Sequence, residues 1–184
     1  MGAAGRDFHN FNTYFRKNPR YQIIAFTASQ IPDIANRKYL GIPIYLEARL
    51  PSLIKKYRIE EVFFAYSDIN YVDLMNKAAV AMAAGASFCL LGPDSTMLQS
   101  KKPVIAVTAV RTGCGKSTVS QKIADYFAKQ GIKAAVVRHP MPYGNLKKQV
   151  CQRFASMDDL VKEKCTIEER EEYEPYVEKG LVVY

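Results

Sequence analysis

The chain is poor in the residues that build metal and disulfide scaffolds: two histidines and four cysteines in 184 residues. Cys89, Cys114, Cys151 and Cys165 form no CxxC pair, and neither histidine stands at zinc-ligand spacing from two of them. A chain this long and this apolar has no need of a disulfide framework, so reduced thiols in a cytoplasmic setting are expected. No apolar run reaches the roughly 18 residues that a membrane span needs. The opening MGAAGRDF has no basic stretch followed by an apolar core and does not read as a secretory signal. Internal repeats and low-complexity segments are lacking. So is any basic block interleaved with aromatics, which a nucleic-acid surface would require.

Charge decides less. The formal net charge is +8, with 11 basic and 8 acidic side chains in residues 1–100 and 15 and 10 in residues 101–184. An excess spread over both halves suits an anionic small metabolite as partner; nothing in it favours nucleic acid, and no membrane is expected.

What is present is an alternation of two patterns. Apolar, β-rich runs occur at 21–28, 42–46, 61–67, 87–91, 103–108, 133–138 and 181–184. Helical patterns fall at about 8–18, 47–57, 70–84 and 117–130, with weaker ones in 145–163 and 167–179. Continuous apolar strands alternating with amphipathic helices predict α/β architecture with parallel sheets. Thr166 followed by Glu169 is a capping-box pattern for the last helix, and Gly180 would end it. A polar stretch at 93–102 with proline at each side predicts a boundary between a first domain (1–100) and a second (101–184). The segment Met1 to Gly5 reads as the turn after a first strand that the sequence does not contain. The second domain has only about three strands by residue 184. Truncation at both ends is therefore expected, and the short connection 37–41 could conceal further missing residues.

The most specific signal is PVIAVTAVRTGCGKST at 103–118. An apolar strand runs into Thr112, Gly113, Cys114, Gly115, Lys116, Ser117 and Thr118, and a helical pattern follows. The glycines let backbone N–H groups turn inward around phosphate oxygens. The helix N-terminus adds donors and the positive end of its dipole. Lys116 would reach the β- and γ-phosphates, and the Ser117 hydroxyl would ligate Mg2+. Cys114 reads as a small loop filler. The common P-loop pattern places glycine where this chain has Val110; Gly113 instead lies two residues before Gly115. That resembles the deviant P-loop of partitioning ATPases, signal-recognition GTPases and metallochaperone GTPases. Arg111 holds the place of the lysine that opens their motif, and a guanidinium can stabilise phosphoryl charge through a bidentate fork.

Weaker candidates surround it. Arg138 and His139 open the loop RHPMPYG just after a strand, where ligands of parallel sheets bind; the loop is either substrate-binding or a solvated surface turn. Gly2, Gly5 and Arg6 form either an anion-binding turn or a close-packed one with no ligand. Asp68 reads as a helix N-cap or as a residue facing the same crevice. The acidic run from Glu168 to Glu174 reads as a solvated helix face.

With these residues in hand, the chain resembles the cyclic 2,3-diphosphoglycerate synthetase-like proteins, also described as predicted P-loop GTPases or ATPases of the SIMIBI class and related to metallochaperone GTPases. The likeness is carried by GAAGRDFHNFN (2–12), AFTASQIP (25–32), VFFAYSD (62–68), LLGPDSTML (90–98), KPVIAVTAVRTGCGKS (102–117), VVRHPMPYG (136–144) and CTIEEREEYEP (165–175). It implies a Rossmann-like N-terminal domain followed by a partial P-loop NTPase domain, in a protein about twice this length. The activity it implies is ATP- or GTP-driven synthesis of a phosphorylated metabolite, with a homodimer by class analogy. On this reading Lys116 and Arg111 stabilise the transferring phosphoryl group, Mg2+ on Ser117 bridges the phosphates, and Arg138 and His139 hold the anionic substrate. This chain alone is expected to turn over slowly. A regulatory or metallochaperone-type GTPase is the alternative, and a nucleic-acid-binding module a more distant one.

Overall fold

The computed structural model describes residues 1–2, 5–29, 34–66, 69–110, 113–138 and 151–184. They form two compact units, Met1–Ser100 and Lys101–Tyr184. Each is mixed α/β with small, mainly parallel sheets. No helix of the described residues is long and apolar enough to cross a membrane.

In the first unit, phenylalanines spaced three and four apart put one face of the opening helix into the core. α1 (Arg6–Asn10) runs into a π turn at Phe11–Phe15, closed by the Arg16 N–H donating to the Phe11 carbonyl at 2.8 Å. The expected helix at 8–18 is thus short, and its second half is widened. Phe8 stacks on Tyr39 at 4.0 Å between centroids and meets Phe26 edge-on at 5.0 Å. Phe11 meets Phe26 edge-on at 5.7 Å. Such pairs add to the area they bury because ring edges and faces carry opposite partial charge.

These rings hold a three-stranded sheet. β1 (Phe26–Ala28) pairs parallel with β3 (Ile42–Leu46), and β2 (Lys38–Tyr39) pairs antiparallel with β3. Leu40 and Gly41, at φ 47° and 89°, make the tight turn of that hairpin. A 3-10 turn (Glu47–Arg49) leads into α2 (Leu50–Tyr57). β4 (Glu61–Phe64), α3 (Tyr71–Ala83) and β5 (Ser87–Leu90) form a parallel crossover with Phe64 opposite Leu90. Asn70 caps α3 by accepting the Asp73 N–H at 2.8 Å. Leu50, Ile54, Val62, Ala81 and Ala86 fill the space between α2, α3 and their strands. The polar stretch at 93–102 holds a one-turn helix, α4 (Pro93–Thr96).

Met1 and Gly2 lie between β1 and β4. The Met1 ammonium donates to the Phe63 carbonyl at 2.6 Å, the Ala65 N–H to the Met1 carbonyl at 3.0 Å, and the Gly2 N–H to the Thr27 carbonyl at 3.0 Å. Gly2 has φ 110°, a backbone conformation that favours glycine, and a Cβ there would sit 3.4 Å from the backbone of Ala65 and Tyr66. Beyond this bridge lies a cavity of about 570 Å³, lined by residues 20–27 on one side and 57–63 on the other. The strand expected at 21–28 pairs only over its last three residues.

In the second unit, α5 (Lys116–Lys129) precedes β6 (Ala135–Val136), which pairs parallel with β7 (Val182–Val183). Phe154 bridges Val183 through reciprocal N–H···O bonds of 2.9 Å. α6 (Met157–Lys162) and α7 (Ile167–Val177) both start with capping boxes, Ser156 with Asp159 and Thr166 with Glu169. Their core is Ala124, Phe154, Leu160, Tyr173, Tyr176, Val177, Leu181 and Val183, with Phe154 stacked on Tyr173 at 5.1 Å.

The strand expected at 103–108 is not formed among the described residues. Its apolar residues find no hydrogen-bonded neighbour, and Val104 and Ile105 are 70% and 60% exposed. An apolar sequence becomes a strand only when its backbone groups are paired. Two helices end on a left-handed residue that is not glycine: Arg58 after α2 (φ 53°) and Lys164 after α6 (φ 54°), both exposed. The Ile59 N–H to Ile54 carbonyl (3.0 Å) and the Cys165 N–H to Leu160 carbonyl (3.1 Å) close these ends.

Candidate functional site

The turn at 113–117 is shaped by two glycines in the left-handed region. Gly113 has φ 81° and Gly115 φ 80°, and a Cβ at either would meet no atom within 4 Å. Gly115 is the N-cap of α5 and has no side chain to cap it; the Val119 N–H returns to its carbonyl at 3.1 Å. The first-turn donors of this 14-residue helix therefore have no capping side chain. Lys116 is half-buried, while Cys114, Ser117 and Thr118 are exposed. The Ser120 hydroxyl donates to the Lys116 carbonyl at 2.9 Å and anchors the next turn. α5 stops where the Ile132 N–H reaches the Phe127 carbonyl at 2.9 Å across Gly131, at φ 67°. Arg111 and Thr112 lie outside the described residues.

The other expected residues divide. Arg138 extends the β6–β7 ladder, its N–H donating to the Tyr184 carbonyl at 2.8 Å. Its guanidinium pairs with Glu172 of α7 at 2.5 Å, so an anion there would have to share this cation with a carboxylate. Burial pushes the neighbouring Tyr173 phenol up to about 12. His139 and Asp68 lie outside the described residues. In the N-terminal turn, the Gly5 and Phe8 N–H groups both donate to the Asp7 carboxylate, at 3.1 and 2.9 Å. That carboxylate takes the place an anion would need. The Gly2 N–H is spent on Thr27, and Arg6 is exposed. The acidic run is only partly a solvated face: Glu169 is buried as a cap, and Glu172 and Glu174 pair with Arg138 and Arg170.

A second polar cluster escaped the sequence reading. Ser29 and Glu47 directly follow the parallel pair β1 and β3, and Tyr66 lies two residues after β4 of the second sheet. The Ser29 and Tyr66 hydroxyls are 2.6 Å apart, and the Ser29 N–H donates to the Tyr66 oxygen at 3.1 Å. Tyr66 reaches Glu47 at a long 3.5 Å, and Lys77 of α3 pairs with Glu47 while lying over the Tyr66 ring. Burial raises the Tyr66 phenol above its ordinary value, so it remains a neutral hydroxyl. Polar residues that each end an apolar strand were the available signal.

No protein-family model matches the chain, and no solved structure matches it. The chain is similar to the arginine synthetase ArcE of Thermococcus kodakarensis, with 58% identity over 194 residues. That likeness covers all of this chain and 43% of that protein, so the chain spans less than half the length of the curated relative it matches.

Proposed function

We propose that the chain carries the nucleoside triphosphate site of a synthetase, and that the product of the whole enzyme is arginine. One observation carries the nucleotide reading: two left-handed glycines leave an uncapped helix N-terminus open, with Lys116 and Ser117 as its first residues. Such a helix start supports the P-loop reading, in which N–H groups surround phosphate oxygens and a lysine reaches the terminal ones. One hydroxyl on Ser117 fits magnesium, which takes few protein ligands and fills its octahedron with phosphate oxygens and water. The metal would neutralise charge on the phosphates. Lys116, with Arg111 by the sequence reading, would hold the transferring group in line and stabilise its charge. The first unit is read as the Rossmann-like partner of this P-loop unit.

The choice of arginine rests on the name of the relative. The resemblance to the cyclic 2,3-diphosphoglycerate synthetase-like proteins leaves closure of 2,3-bisphosphoglycerate as the second reaction to assay.

Calorimetric titration of ATP and of GTP, each with Mg2+, into the full chain tests the nucleotide site. One nucleotide should bind. Lys116→Ala should weaken it at least about tenfold, the scale of one charge-assisted hydrogen bond. Occupancy should also shield Cys114 from alkylation while the exposed Cys151 continues to react. Absence of binding by either nucleotide would remove the proposal.

A further inference from the structure

We infer that the gap between β1 and β4 is a docking slot for an apolar peptide strand of about five residues, running parallel to both and in register with Met1 and Gly2. The two edges are already joined at one end: Met1 bonds to Phe63 and Ala65 of one, and Gly2 to Thr27 of the other. Edges bridged through a single stretch of chain stand two strand spacings apart, roughly 9.6 Å, so one strand fits between them. Past this bridge the cavity of about 570 Å³ continues between 20–27 and 57–63. No backbone hydrogen bond among the described residues joins 21–25 to 57–62.

Three features define the occupant. The first is backbone direction. Successive residues of a strand turn their N–H and C=O groups to opposite edges. The Glu60 carbonyl accepts the Ser87 N–H at 2.8 Å on the β5 side, so Glu61 and Phe63 turn theirs toward the slot. Thr27, whose carbonyl accepts the Gly2 N–H, faces it from β1. These are the groups a parallel strand would pair, in continuation of the ladder that Met1 and Gly2 make. The second is the walls. Phe15 and Tyr21 meet the Phe63 ring edge-on at 4.7 and 5.6 Å. Leu50 packs with Val62, whose side chain leaves the strand on the opposite face. A strand covered on both faces is a continuous apolar run rich in valine and isoleucine, which sets the chemistry of the occupant. The third is what occupancy completes. The three-stranded sheet and the pair β4–β5 become one sheet in the order β2-β3-β1-occupant-β4-β5, and neither β1 nor β4 remains an edge.

The slot lies wholly in the first unit and does not depend on the nucleotide reading. The full chain extended before Met1 by Lys-Val-Ile-Val-Val-Ile supplies the strand. The same chain extended by Lys-Val-Pro-Val-Pro-Ile is the control, because proline cannot donate to a ladder. Both replace the Met1 ammonium by a peptide N–H, so that change cancels between them. The first extension should raise the melting midpoint at least about 5 °C above the second. It should also slow hydrogen exchange at the Thr27 and Phe63 amides by at least about tenfold. Leu53→Ala, on the slot wall, should lower the midpoint further in the chain carrying the first extension than in the unextended one. Equal midpoints for the two extensions would overturn the slot. So would unprotected amides at Thr27 and Phe63, or a Leu53→Ala loss that is the same with and without the strand. Protection of those amides in the unextended chain, together with a dimer in sedimentation, would assign the slot to a second copy and overturn the proposal as well.

Discussion

The two units spend their apolar residues differently. In the first, the rings of Phe8, Phe11, Phe26 and Tyr39 interlock around the sheet, and the polar cluster sits at the ends of the strands they hold. In the second, the core gathers behind α6 and α7. α5, which carries the glycine turn, gives it a single buried residue, Ala124. The cluster in unit one is thus shaped by tertiary packing. The turn in unit two is shaped by backbone preference within a few residues. A packed site transmits core damage to its geometry; a locally determined turn does not need the core in order to form.

The largest effects should follow the cores. Tyr176→Ala and Phe8→Ala remove buried rings and should each cost about 3–5 kcal/mol in urea unfolding. Val104→Ala, at a residue 70% exposed, should stay within about 0.5 kcal/mol. A comparable loss at Val104 would mean that segment 103–108 is packed in solution and would dissolve the contrast.

Next come the glycines. Gly115→Ala meets no steric obstacle, so its cost is the left-handed backbone alone, about 1–2 kcal/mol. It should weaken nucleotide binding while shifting the melting midpoint less than the core variants do. A shift as large as theirs would mean that the turn is supported by packing after all.

Caps should act alike in both units because they are local in each. Asn70→Ala in the first and Thr166→Ala in the second should each cost about 1 kcal/mol by denaturant titration. A strong inequality between them would expose coupling to the surrounding core.

The smallest effect is one of pH. N–H bonds from Ala155, and then from Ser156, hold the Asp159 carboxyl below its ordinary value of 3.8. A folded-state value that is depressed gives stability that is complete above the unfolded value and lost as pH falls through the folded one. Wild-type urea midpoints should therefore fall on the acid side of 3.8, and Asp159→Asn should flatten that part of the curve.

Local signals were legible and pairing was not. The starts of α5 after Gly115 and of α7 at Thr166 follow from a glycine or a side chain that acts within four residues, whereas α3 is capped by Asn70 and not by the Asp68 that the sequence suggested. The capping box at Ser156 and Asp159 was equally readable but was submerged in a broad helical pattern. Strands fared worse because alternation and apolarity do not name a partner. Residues 103–108 look as strand-like as 42–46, yet only the latter have β1 and β2 beside them. The hairpin at Leu40 and Gly41 was hidden because leucine seldom occupies a left-handed position. The glycine turn could be found from one contiguous motif. Ser29, Glu47, Tyr66 and Lys77 come from four separated segments, and only the fold assembles them.

Arg58 and Lys164 hold stability in reserve. Each ends a helix in a conformation that a side chain resists, and each is exposed. Replacing both by glycine relieves that resistance, against a small gain in the freedom of the unfolded chain. The two positions are natural starting points for a heat-tolerant version of the protein, one improvement per unit, with the glycine turn left as it is.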